Sequence, residues 1–205
     1  MKRPVHKKEI LHNLIGFSDA MVMQAVYSHD SLISWEYNYY HCIDNLHITE
    51  NDKAIIKKSI LEIFSENSGF ASDSLLYDKM LVSNPSFLKK NGIGSKVNLF
   101  YVVFNLFSDE FYFKRPYISE NKDMKGASVK DVILTLMNSP KYFTYQQFSE
   151  VCKRMKWPDS TCDMALCDIE KEYLKISVDE YIINSSFELS DNVIKEIRSE
   201  VDSRM

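Results

Sequence analysis

The chain has 205 residues, 45% of them apolar and 26% charged, with only five glycines and five prolines. This composition excludes collagen-like, low-complexity and largely disordered chains, and suits one folded unit or two small ones. A net charge of −4 with histidine neutral argues against a histone-like coat for polyanions, whose affinity comes from counterion release.

Residues 6–28 read as a helix, because Ile10, Leu11, Leu14, Phe17, Met21 and Ala25 recur at three- and four-residue steps. Asp30 or Ser31 caps a second helix to about Asp44, with Leu32, Trp35, Tyr39 and Ile43 on one face. Thr49 and Asp52 have the spacing of a capping box for a third helix through Phe64, which buries Ile55, Ile56, Ile60 and Ile63. After a turn at 65–69, Ser72 opens a helix holding Leu75, Leu76 and Met80. Asn84-Pro85 interrupts it, since proline disfavours helical geometry in the residue before it. A short turn of helix at 86–90 stops at Asn91-Gly92. Ser95 then starts a helix to Phe107, and Phe111-Tyr112-Phe113 reads as a strand that extends towards Ile118.

Residues 119–127 are polar and without periodicity, the best linker in the chain. The pattern then restarts. Ser128 caps a helix to Asn138, Thr144 caps one to Met155, and Asp159 or Ser160 caps one to about Glu172. The runs 173–177 and 180–184 suit a hairpin. A last amphipathic helix starts at Asp191 and buries Val193, Ile194, Ile197 and Val201.

At an offset of 73, residues 60–64 fall on 133–137 and Phe70 falls on Phe143. Both stretches run helix, turn, helix, turn, helix, aromatic strand, which favours an internal duplication. Phe70-Ala71-Ser72 and Phe143-Thr144-Tyr145 stand before each second helix. Phe111-Tyr112-Phe113 and Tyr173-Leu174-Lys175-Ile176 stand after each third. On these residues the sequence resembles the winged helix-turn-helix superfamily, over 52–118 and again over 128–184. The expected fold is mainly α with short β-hairpins. It comprises an N-terminal helical segment (1–51), a winged-helix-like module (52–118), a linker (119–127) and a second module with a C-terminal helix (128–205).

The resemblance implies that the third helix enters a DNA groove while the wing touches phosphate. Residues 52–125 carry eleven cations against nine anions, so only the middle of the chain leans basic. There Asn98, Tyr101 and Asn105 line one side of the 95–107 helix, with Lys89, Lys90 and Lys96 near its start and Lys114-Arg115 on the wing. Asparagine can bond an adenine edge, tyrosine a phosphate, and the cations the backbone of double-stranded DNA. The equivalent helix of the second module carries Asp163, Asp168, Glu170 and Glu172 against Lys171, which suits a protein partner. Trp35, Tyr37, Tyr39 and Tyr40 cannot share one helical face, so some of these rings are expected at a partner contact or a self-association surface.

No catalytic signature is present, and the reading is non-enzymatic. Cys42, Cys152, Cys162 and Cys167 form no C-x-x-C pair, all five histidines lie within residues 1–47, and 91–96 lacks the order of a phosphate loop. No metal or cofactor is expected. The apolar run after Met1-Lys2-Arg3 is too polar and short to span a bilayer, so a cytoplasmic location away from membranes is expected. Two functions follow. One is a DNA-binding or accessory factor of transcription, genome maintenance or defence; the other is an adaptor whose winged helices only dock protein.

Overall fold

The structure, a computed structural model, describes residues 3–14 and 16–186, together with 195 and 199. The helix expected from Asp191 lies outside the described residues. Among the described residues the chain is mainly helical with three small antiparallel sheets. It forms two compact units, one of Met1–Ala127 with Met155–Trp157, the other of Ser128–Arg154 with Pro158–Met205.

The first unit begins with β1 (Val5–His6), α1 (Lys7–Asn13) and α2 (Asp19–Tyr27). The single helix expected over 6–28 is therefore broken. Gly16 adopts φ +100°, a conformation open to glycine, and Ser18 starts a fresh helix by accepting from the Met21 amide at 3.3 Å.

The helix expected over 30–44 is instead a hairpin, β2 (Leu32–Glu36) and β3 (Tyr39–Cys42). Leu32, Trp35, Tyr39 and Ile43 happen to fall at helical spacing. The operative period is two, with Ile33 and Trp35 buried on one side of β2. Asn38 supplies the tight turn at φ 61°, and the aromatic content suits a pleated, half-buried surface. β1 adds beside β3, giving the order β1-β3-β2. The segment 1–51 is thus two short helices on a small sheet rather than helical throughout.

The centre of the unit follows the sequence closely. α3 (Glu50–Glu66) opens on a complete capping box: Thr49 Oγ1 accepts from the Asp52 amide, and Asp52 accepts from the Thr49 amide at 2.9 Å. β4 (Phe70–Ser72) leads into α4 (Asp73–Ser83), capped by Ser72. α5 (Pro85–Lys90) has proline in its first turn, where the missing N–H costs nothing. α6 (Lys96–Phe107) starts on a second capping box, Ser95 with Asn98. β5 (Tyr112–Lys114) and β6 (Tyr117–Ser119) close the unit as a hairpin, and β4 pairs with β6 to give the order β4-β6-β5.

Ile56, Ile60, Leu76, Met80, Leu99 and Val103 are almost wholly buried between α3, α4 and α6. Each such side chain stabilises the fold by roughly 1.5–3 kcal/mol relative to exposure. Ile33 and Trp35 of β2 belong to this same core. Tyr40 of β3 packs instead with Ile10, Val22, Met23 and Val26.

The second unit comprises α7 (Val129–Leu136), β7 (Tyr142–Thr144), α8 (Tyr145–Arg154), α9 (Asp159–Ile169), β8 (Tyr173–Lys175) and β9 (Glu180–Ile183), in the sheet order β7-β9-β8. Phe143 stacks on Tyr181 at 4.9 Å and meets Tyr173 edge-on, which ties β7 and both hairpin strands into one core. Ser128 and Thr144 cap as expected, whereas α9 starts after Pro158 without a side-chain cap.

From α3 onward the first unit runs helix, strand, helix, helix, hairpin, as does the second, with α5 as an extra short helix in the first. In each the leading strand lies beside the last strand. Ser72 and Thr144 occupy the same cap, so the register there is one residue shorter than the offset of 73. The strands at 70–72 and 142–144 had no signal of their own. Their three residues are too short for a period, and they exist because the hairpin offers an edge.

Candidate interaction site

The 95–107 helix was the expected nucleic-acid face, and its polar residues are engaged within the chain. Asn98 is 1% exposed. Its Oδ1 accepts from the amides of Gly94 and Ser95 at 3.2 and 3.1 Å, and its Nδ2 donates to the Trp35 carbonyl. Asn105 Nδ2 donates to the Asp30 carbonyl at 2.8 Å. Tyr101 is half-buried, edge-on to Phe100. The polar side of α6 is where the N-terminal hairpin and the loop before it attach.

Most of the cations are held as well. Lys90 pairs with buried Asp52 at 2.7 Å. Burial alone would raise the pKa of the Asp52 carboxyl. Hydrogen bonds from Lys90, Thr49 and Asn84 outweigh that and hold it well below the usual carboxylate range. Lys96 pairs with Asp73 at 3.3 Å and donates to Ser74, while Arg115 reaches the other Asp73 oxygen at 3.5 Å. The Asp73 side chain is fully buried, so these two cations offset its desolvation. Lys114 donates to the Ala127 and Gly126 carbonyls at 2.6 and 3.4 Å. Lys89 and Lys114 are the two of the eight residues that are exposed with no ion pair among the described residues, and of these Lys114 is held by the two carbonyls.

The aromatic set divides by strand period. Trp35 and Tyr40 are core residues, each 6% exposed, and are not available to a partner. Tyr37 at the hairpin turn is 90% exposed, and Tyr39 is partly so.

Where α2 ends, the hairpin and the second half of α6 enclose a cleft of about 650 Å³. Tyr27, Tyr40, Tyr101 and Phe104 line it, and the Tyr40 hydroxyl donates to that of Tyr27 at 3.2 Å. Burial and this bond push the Tyr40 phenol well above its ordinary pKa. Asp30 and Asp109 stand among the lining residues. The sequence hides the cleft because Leu32, Trp35, Tyr39 and Ile43 also fit a helical spacing. The alternation through Ile33 and Trp35, followed by Tyr37-Asn38, was the signal.

On α9 the outer residues Asp159, Asp163 and Asp168 are exposed, as is Met164. Lys171 pairs with Asp168 and Lys130 with Glu172, both at 2.6 Å. Burial pushes the Cys152 and Cys162 thiols up in pKa, the wrong direction for nucleophiles. His41 is buried edge-on to Trp35 at 4.9 Å, and burial lowers its pKa, which marks it as a core group. Among the described residues no three His, Cys, Asp or Glu side chains group as a metal site, and no helix is long and apolar enough to cross a membrane. No protein-family model, curated protein or solved structure matches the chain.

Proposed function

We propose that the chain is a non-enzymatic docking protein built from tandem winged-helix modules, an adaptor rather than a reader of nucleic acid. The modular part is supported by the element order common to the two units, with the leading strand added beside the last strand of the hairpin. That order is the one expected of a winged helix, a fold that serves DNA binding and protein docking alike.

One observation carries the choice between those uses. The face of α6 that would enter a groove bonds to the chain's own Trp35 and Asp30 carbonyls through Asn98 and Asn105. Asp52 and Asp73 further neutralise three of the cations beside it, Lys90, Lys96 and Arg115. The acidic outer face of α9 would repel phosphate and attract a basic protein surface.

Fluorescence anisotropy of labelled duplex DNA from low to moderate salt tests the choice. Docking predicts no saturable binding even at low salt. Binding that weakens steeply with salt, and weakens further in Lys114→Ala/Arg115→Ala, would put the middle of the chain on phosphate and refute it.

A further inference from the structure

The cleft between the hairpin and α6 has a definite electrostatic sign. His29 is its one basic side chain, and among the described residues no lysine or arginine lines it. Asp30 and Asp109 do, and neither makes an ion pair among the described residues. Lys122 reaches this region but donates to the backbone carbonyl of Asp109 rather than its carboxylate. Two helices also end at the cleft. Val26 and Tyr27 are the last residues of α2, and Phe104, Asn105 and the C-cap Ser108 finish α6. Helix C-termini carry partial negative charge, so both ends add to the field of the two carboxylates.

The walls point the same way. Tyr27 and Phe104 are 68% and 44% exposed, and with half-buried Tyr101 they present aromatic groups whose ring faces attract cations. An anion would meet two carboxylates and two helix ends. A neutral apolar group would desolvate the two carboxylates without giving them partners. A planar cation satisfies both sets, stacking on rings while its N–H groups fork across carboxylates. Asn105 holds the Asp30 backbone at 2.8 Å, so that loop is fixed before anything binds.

We propose that this cleft takes an arginine side chain of a protein partner, with Asp30 and Asp109 binding the guanidinium and Tyr27 and Phe104 stacking on it. The proposal rests on the docking reading above and gives that reading a partner chemistry. At about 650 Å³ the cleft exceeds one side chain and admits the flanking backbone of the partner segment.

The test is an NMR titration of the ¹⁵N-labelled full chain with the blocked tripeptide Gly-Arg-Gly, alongside its lysine and citrulline counterparts. Citrulline keeps the shape of arginine and removes the charge. The expected result is amide shifts confined to residues 26–34 and 101–109, with citrulline and lysine each binding about tenfold or more weakly. Tyr27→Ala, at a largely exposed position, and Asp30→Asn should each weaken the arginine peptide severalfold. Equal binding of citrulline or lysine, shifts elsewhere, or indifference to both variants would overturn the proposal. The duplex DNA titration separates the two failures. DNA binding fells the docking reading, whereas absence of both DNA and arginine-peptide binding fells only the cleft assignment.

Discussion

Asp52→Asn is the substitution whose consequences the structure defines best. Asp52 is 5% exposed, and its carboxylate accepts from the Thr49 amide and hydroxyl at 2.9 and 2.7 Å, from Asn84 at 2.9 Å and from Lys90 at 2.7 Å. An amide has one oxygen, so its NH₂ must face a donor on one side, and the charge that attracts Lys90 is gone. Hydrogen bonds to a buried charge contribute roughly 1.5–3 kcal/mol, and a helix cap about 1 kcal/mol. The Lys90 side chain is 36% exposed, so solvent screening cuts its share to about 0.5 kcal/mol. The expected loss is about 2–3 kcal/mol for the first unit. Because the folded carboxyl has a depressed pKa, its stabilisation is complete well above the unfolded value of about 4 and is lost as pH falls below that. Urea unfolding followed by tryptophan fluorescence at several pH values reads both effects. The gap between wild type and variant should be constant from about pH 5 to 7 and shrink below about pH 4. A gap under about 0.5 kcal/mol at pH 7, or one unchanged at pH 3, would refute the reasoning.

Two further expectations concern the rings and the thiols. Trp35→Ala should cost about 3–5 kcal/mol through the cavity it leaves, whereas Tyr37→Ala should stay within about 0.5 kcal/mol; equal effects in denaturant titrations would overturn the two-sided account of the hairpin. A colourless-to-coloured thiol reagent near pH 8 should modify exposed Cys167 well before Cys152 and Cys162, whose burial raises their pKa. Simultaneous loss of all three thiols would contradict the burial.

Local chemistry was legible in the sequence. Thr49 with Asp52, Ser72, Ser95 and Ser128 each announced a helix start, because a cap depends on residues three positions apart. The hairpin at 32–42 was not, since Trp35 and Tyr39 satisfy a helical and an alternating period at once; only the positive φ at Asn38 and the packing of Ile33 decide between them. For the site, the cations were visible but their partners were not. Lys96 and Arg115 lie 22–42 residues from Ser74 and Asp73, and Asn105 lies 75 from Asp30, separations over which no sequence pattern reports pairing.

The hairpin formed by β2 and β3 is a wall shared by two cores. Ile33 and Trp35 on one side complete the apolar cluster of α3, α4 and α6, while Tyr40 completes that of α1 and α2. Neither cluster keeps its full complement if the hairpin peels away, and Asn98 and Asn105 would then lose their acceptors too. Local opening of the N-terminal helices is therefore penalised by the central helices, and the reverse holds equally. A partner gripping the cleft would tighten this joint, so occupancy at one surface would be felt as slower amide exchange throughout both clusters.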